Sequence, residues 1–168
     1  PYASRKYAND LSVKAVLELS KKPFFNELEF RFVGDGVLFD EILEPLRKFK
    51  NVIIDRRFLS QPEIAKLHRD YGIFLSPTRM DAQGVSRDEA MASGLIPVSN
   101  AVTAIPEFVD SKCGILAPDE GYKEMADGIA SLYENPDRFS QMSKAASERV
   151  IKQTASRKII DKEVELFN

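Results

Sequence analysis

The sequence predicts an α/β fold in which parallel strands are flanked by helices. Short β-rich runs alternate with helical segments of roughly 8 to 13 residues, an order typical of βαβ units with helices on both faces of a parallel sheet. The chain has 168 residues, of which 43% are hydrophobic, enough for the core of one domain over residues 1–168. The predicted architecture is a Rossmann-like, doubly wound sheet, and such sheets bind ligands at the carboxyl ends of their strands.

The amino-terminal half alternates helical and β-rich patterns. Three segments repeat apolar residues at helical spacing: 9–21, 37–49 and 60–72. We expect Pro45 to bend or split the second helix and Gly72 to end the third. Two β-rich runs lie between them, LEFRFVGDG at 28–36 and NVIID at 51–55.

The carboxyl-terminal half continues the alternation. Three strands are predicted, IFLSP, LIPVSN and CGILAP, at 73–77, 95–100 and 113–118. The first helix of this half follows a polar loop and should stop at Gly94. The predicted helices are 86–93, a turn at 105–109, and polar-faced helices at 121–134, 136–153 and about 156–167.

Composition excludes several classes of function. The net charge is −2, the isoelectric point is near 5.6 and charges of both signs are interspersed, so no basic surface for nucleic acid is predicted. No apolar run approaches the length of a membrane span. One cysteine, Cys113, cannot form an internal disulfide, and we expect it in the core. With one histidine, His68, which we expect at the surface, and no Cys-x-x-Cys, a metal site is not expected.

Gly34-Asp35-Gly36 follows a strand and precedes a helix. Its backbone N–H groups could hold a phosphate. A tight turn with no ligand is an equal alternative, because the dinucleotide fingerprint requires a third glycine where Phe39 stands.

A longer loop, from Pro77 to Ser86, leads into the helix at 86–93. Gln83 to Ser86 would present free N–H groups and the positive end of the helix dipole, which suit a diphosphate. Asp81 and Glu89 bracket these residues, and paired carboxylate oxygens suit vicinal sugar or ribose hydroxyls. As an alternative, Ser86-x-x-Glu89 is a capping box that only closes the helix. A helix cap does not account for the presence of Asp81, Gln83 and Gly84 in the loop before the helix.

This stretch resembles the donor-site signature of the retaining GT-B glycosyltransferases of the "group 1" family. That signature contains Pro-Ser-x-x-Glu-Gly-x-Gly, then Glu-Ala-Met-Ala-x-Gly-x-Pro-Val and Ile-Pro-Glu. The resemblance extends from about Arg5 to Asp137. The matching segments here are Pro77-Thr78, Asp81 to Gly84, Glu89 to Gly94, Pro97-Val98 and Ile105-Pro106-Glu107.

The resemblance implies roles for individual residues. Asp81 and Glu89 would be the catalytic pair, Asp81 holding hydroxyls of the transferred sugar and Glu89 the nucleotide ribose. Asp81 is shorter than the family's glutamate, so donor specificity does not carry over. The family's Lys-Gly pair aligns with Asn9-Asp10. The implied donor-binding residues are Arg5 and Lys6 at the diphosphate, Gly34 and Gly36 near the phosphates, Arg57 and Phe58 beside the base, and Pro77, Thr78, Gln83, Gly84, Val85 and Ser86.

The resemblance also implies the activity. We expect one lobe of a GT-B fold that binds a nucleotide diphosphate sugar. The glycosyl unit would be transferred, with retention of configuration, to a saccharide or lipid-linked acceptor. The expected pathway is the synthesis of surface polysaccharide or lipopolysaccharide. No metal or cofactor is expected. The chain begins at Pro1, so we expect a piece of a longer protein whose N-terminal acceptor lobe lies outside it and which is inactive alone. A cytoplasmic location is expected, with peripheral attachment to the inner face of the membrane as an extension.

The alternative is a non-catalytic α/β regulatory or partner module derived from such a domain. A receiver domain would need an acidic cluster at the end of its first strand and an aspartate at the end of its third, and neither is present. Because Asn9-Asp10 stands where the family has Lys-Gly, a degenerate glycosyltransferase half that acts as a partner subunit remains an alternative.

Overall fold

Five strands alternate with seven α-helices in the computed structural model, which describes residues 1–80 and 84–154. The strands are β1 (Phe30–Gly34), β2 (Val52–Arg56), β3 (Ile73–Leu75), β4 (Ile96–Asn100) and β5 (Ile115–Ala117). The helices are α1 (Asn9–Leu19), α2 (Phe39–Leu43), α3 (Gln61–Leu67), α4 (Val85–Ala92), α5 (Ile105–Phe108), α6 (Tyr122–Tyr133) and α7 (Pro136–Thr154). Three 3₁₀ turns complete the order, at Arg5–Tyr7, Phe25–Glu27 and Glu44–Leu46.

All strand pairs are parallel, but the described strands form two sheets rather than one. β1 pairs with β2 from Phe30 opposite Val52 onward, and β3, β4 and β5 form a second sheet in that order. Between β1 and β3, the Tyr71 hydroxyl donates a hydrogen bond to the Glu29 carboxylate. A side-chain contact therefore connects the two sheets where a single doubly wound sheet would have a backbone ladder.

Helices cover both faces of the second sheet, which confirms the α/β class. Along β5, Ala117 packs into a cluster with α1 and α6, whereas Leu116 packs against a cluster formed by α4, α5 and α7. Successive strand residues point to opposite faces, so the two clusters lie on opposite sides of the strand. The fully buried Cys113 belongs to the second cluster, as expected.

Several element boundaries differ from the sequence expectation. The second helix is split at Pro45 as expected, since α2 ends at Leu43 and a 3₁₀ turn follows. The third helix ends at Leu67, not at Gly72. A Cβ at Gly72 would lie 2.5 Å from the Phe139 ring, so this glycine serves close packing against α7 instead of helix termination. The helix expected at about 156–167 lies outside the described residues.

The described helices include none that is long and apolar enough to cross a membrane. The helices expected at 121–134 and 136–153 are present as α6 and α7.

Candidate functional site

A cavity of about 950 Å³ opens beside the carboxyl ends of β1 and β3 and continues between the two sheets. Its inner part is lined by apolar side chains, among them Phe32 of β1 and Phe74 of β3. Eight residues that the sequence singled out line it together: Gly34, Arg57, Phe58, Pro77, Thr78, Gly84, Ser86 and Glu89. The fold thus brings segments from three different loops to one site, at the edge of the sheet where α/β folds bind ligands.

The amino terminus of α4 faces this cavity, which Gly84 and Ser86 line. The N-cap residue is Gly84, whose carbonyl accepts the Asp88 N–H at 2.9 Å, and no side chain of the described residues caps the helix. The capping-box interpretation of Ser86 and Glu89 is therefore wrong, because the helix begins one residue before Ser86. The first-turn N–H groups keep their capacity to bind an anion.

Glu89 lies half-buried in the cavity wall. Its backbone carbonyl accepts a hydrogen bond from the Ser93 hydroxyl at 3.0 Å, within α4. Among residues 1–80 and 84–154, its carboxylate accepts no hydrogen bond from another side chain. Its carboxylate oxygens therefore keep the capacity to accept further hydrogen bonds, and the role of Glu89 in ligand binding stays a prediction.

His68 is buried, with 8% of its surface exposed, so the expectation of a surface residue is wrong. Its Nδ1 lies 3.4 Å from the Ser93 Oγ, and it lines the cavity together with Glu89. Burial lowers the pKa of His68, and the negative charge of Glu89 partly opposes this shift. The helical spacing of the sequence could have predicted this burial of His68. Ile64, Leu67 and His68 fall on one helix face, and all three line the cavity.

The Gly34-Asp35-Gly36 turn packs against the amino-terminal segment. Gly34 lines the cavity, whereas Gly36 does not, and the Gly36 N–H donates to the Asp35 Oδ1 at 2.7 Å. Arg56 donates to the same carboxylate oxygen. Both hydrogen bonds lower the pKa of Asp35, and the bond from Arg56 has the larger effect. This geometry favours the tight-turn alternative for Gly36, while its phosphate role stays a prediction.

Arg57 and Phe58 lie at the cavity mouth after β2. Arg57 Nη1 donates to Glu63 Oε1 at 2.7 Å, and Glu63 also closes a capping box with Ser60 at the start of α3. The Arg57 bond is the largest of the effects that lower the pKa of Glu63 to about 2. Phe58 is 71% exposed, so its ring offers a free stacking face.

Besides Gly36, five predicted residues are not placed in the cavity. Arg5 pairs with Glu41 at 2.7 Å, Lys6 Nζ lies 5.0 Å from the centre of the Tyr7 ring, and Val85 is exposed on α4. None of these three lines the cavity. Asp81 and Gln83 lie outside the described residues, so their roles stay predictions.

Within the described ranges, no group of three or more His, Cys, Asp or Glu side chains is arranged to hold a metal ion. The expectation that no metal or cofactor is needed stays a prediction.

Residues 2–135 match the protein family described as "Glycosyl transferases group 1". The chain is 27% identical over 164 residues to the poly(ribitol-phosphate) alpha-N-acetylglucosaminyltransferase of Staphylococcus aureus, covering 95% of this chain and 32% of that protein. It therefore spans about a third of the length of that relative.

Two solved structures show the likeness in three dimensions. A crystal structure of a Staphylococcus aureus TarM mutant with fondaparinux, alpha-GlcNAc-glycerol and UDP superposes with a TM-score of 0.81 at 25% identity, over 97% of this chain and 33% of that one. The pneumococcal O-GlcNAc transferase GtfA, solved with UDP and GlcNAc, gives 0.76 at 23% identity, again over 97% and 33%. The second likeness concerns the fold alone.

Proposed function

The chain belongs to the group 1 glycosyltransferase family, and on that basis we propose that its cavity binds a nucleotide diphosphate sugar for transfer of the glycosyl unit with retention of configuration. The observation that supports this most is the meeting of Glu89, the amino-terminal turn of α4 and the Arg57-Phe58 segment in one cavity. Relatives of this fold are solved with UDP.

Each part of the cavity suits one part of such a donor. The Phe58 ring and its neighbours would contact the base, and the Glu89 carboxylate would accept hydrogen bonds from the ribose hydroxyls. The first-turn amides of α4 would meet the diphosphate, where the helix dipole favours negative charge. Asp81 would hold the transferred sugar.

The leaving diphosphate gains negative charge as the glycosidic bond breaks. Fixed N–H dipoles and cations stabilise that charge without reorganisation, which is the largest catalytic contribution in many enzymes. Arg5 and Lys6 would supply the cations, so the proposed reaction needs no metal. Gly34 would lie near the phosphates.

The acceptor would be a saccharide or a lipid-linked saccharide, held by an N-terminal lobe of the same protein. Such an enzyme would act in surface polysaccharide synthesis in the cytoplasm, at the inner face of the membrane when its acceptor is lipid-linked. The 168 residues alone would then bind donor without completing transfer.

A second candidate is a non-catalytic partner module, and one observation favours it. Asn9-Asp10, which aligns with the family's Lys-Gly pair, carries no cation, and Asp10 is paired with Arg79 at 2.8 Å. The uncharged Asn9 therefore stands where the family places a cation for the diphosphate.

Titration of the chain with uridine, guanosine and adenosine diphosphates by calorimetry separates the two candidates. We expect one of them to bind with a Kd of roughly 0.1–1 mM, or about −4 to −5.5 kcal/mol. No binding across the panel, by a protein shown to be folded, would refute donor binding and favour the partner module.

A further inference from the structure

Arg79 connects the loop after β3 to two other parts of the chain. Its Nη1 and Nη2 donate to both carboxylate oxygens of Asp10, at 2.8 and 2.9 Å, in the first turn of α1. Its Nε and Nη2 donate to both carboxylate oxygens of Glu120, at 2.7 and 2.8 Å, in the loop after β5. Two bidentate pairs on one guanidinium fix its orientation as well as its position.

The same residue holds the 3₁₀ turn at Arg5–Tyr7. Arg79 Nη1 donates to the Arg5 carbonyl at 2.6 Å, and the Arg79 backbone N–H donates to the Lys6 carbonyl at 2.8 Å. Thr78, which lines the cavity, donates from its hydroxyl to the Lys6 carbonyl at 3.3 Å. The turn that bears Arg5 and Lys6 is thus attached to the cavity wall through Thr78 and Arg79.

Arg79 is itself a poor candidate for a phosphate ligand. Its charge is balanced by two carboxylates, and its hydrogen bonds lower the pKa of both Asp10 and Glu120. Lys6, by contrast, forms no ion pair with any carboxylate of the described residues. Among the described residues, the turn that Arg79 holds therefore carries a cation, Lys6, without a carboxylate partner.

Resting on the proposed function, we propose that Arg79 is a positioning residue for the diphosphate of the donor. Through Asp10, Glu120 and the two turn carbonyls, it keeps the cationic turn against the cavity wall. Small displacements of such groups have large effects, because charge-assisted bonds to a phosphate need defined geometry. Loss of Arg79 should then weaken contacts to the phosphates and leave contacts to the base and ribose intact.

The test compares two ligands on the same variants. Arg79→Gln, Arg79→Lys and Glu120→Gln are titrated with the preferred nucleoside diphosphate and with the corresponding nucleoside, by ligand-observed NMR. Arg47→Gln is the matched control, since Arg47 also bonds two carboxylates, Asp40 and Glu44, whereas its hydrogen bonds in the described part of the chain do not include the turn at Arg5–Tyr7. Thermal unfolding of every variant is measured alongside.

We expect both Arg79 variants to lose about tenfold or more in affinity for the diphosphate, with nucleoside affinity unchanged and the control equal to wild type for both ligands. Arg79→Lys should not rescue binding, since lysine lacks the planar fork. Equal losses for both ligands, or unchanged diphosphate affinity, would overturn the assignment. If Arg79→Gln unfolds, the affinities of Arg79→Lys and Glu120→Gln for the two ligands decide between these outcomes. Wild type that binds neither ligand would instead refute the proposed function.

Discussion

Tyr2 occupies the space that a side chain at Gly36 would need. A Cβ on Gly36 would lie 2.4 Å from the Tyr2 carbonyl carbon, and Gly36 has φ +148°. The two backbones are held together by hydrogen bonds from the Tyr2 N–H to the Asp35 carbonyl and from the Leu38 N–H to the Tyr2 carbonyl, both 3.0 Å. The glycine turn is therefore required by the amino-terminal segment whether or not a phosphate binds.

Gly36→Ala should destabilise the protein by about 2 kcal/mol or more, because it combines a strained φ with a backbone clash. Chemical denaturation measures the change. Val37→Ala is the control, since Val37 is 85% exposed, and it should change stability by less than about 0.5 kcal/mol. Unchanged stability of Gly36→Ala would mean that Tyr2 does not pack on the turn in solution.

Local patterns predicted most elements, and long-range contacts account for what they missed. Periodicity located α6 and α7, and Pro45 marked the split after α2. The start of α4 was misplaced because Gly84 supplies no side chain by which a cap is recognised. Arg79 pairs with Asp10 and Glu120, which lie 69 and 41 positions away from it in the sequence. No local sequence pattern indicates such pairing. The division of the strands into two sheets likewise depends on contacts that strand sequences do not encode.

Glu89→Gln should weaken nucleotide binding by about 1–3 kcal/mol, the scale of a charge-assisted hydrogen bond. Calorimetry on both proteins gives the difference. The unfolding temperature should change little, because the carboxylate closes no capping box. Glu134→Gln, at the exposed end of α6, is the control. Equal affinity in Glu89→Gln and wild type would remove Glu89 from the site.

His68 is the single histidine of the chain, so its imidazole protons can be followed by NMR without assignment. We expect its pKa below 6.5, because burial disfavours the charged form. Glu89→Gln should lower it further, since the Glu89 charge favours the protonated ring. A pKa at or above 6.5, or one that Glu89→Gln leaves unchanged, would contradict the burial of His68 near the Glu89 carboxylate.

The same shift makes stability depend on pH. Below about 6.5 the unfolded chain binds a proton at His68 more readily than the folded one, so this group lowers stability as the pH falls through that range. His68→Asn should reduce the slope of stability between pH 7 and 5, measured by urea denaturation at each pH. An identical slope in the variant would show that His68 titrates alike in both states.

Gly84→Val should abolish nucleotide binding while the domain stays folded. Gly84 has φ −80° and ψ 77°, so its backbone lies outside the left-handed region. It is buried in the cavity wall at the start of α4, and branched methyl groups there would block approach to the helix amides. Gly84→Ala should give an intermediate loss. Wild-type affinity in a folded Gly84→Val protein would exclude the amides of this helix from the site.

These 168 residues alone should bind donor without turning it over. The cavity contains groups suited to a base, a ribose and a diphosphate, and the relatives are about three times as long. Transfer also requires an acceptor hydroxyl aligned with the anomeric carbon, and such alignment lowers the barrier by about 7–11 kcal/mol in favourable cases. We therefore expect donor binding without detectable transfer, in an assay that follows radiolabelled sugar from the preferred nucleotide to saccharide acceptors. The matched control is the same assay with Glu89→Gln, which should give the same background of donor hydrolysis. Transfer well above that background would show that the chain holds an acceptor site of its own and would contradict the two-lobe mechanism.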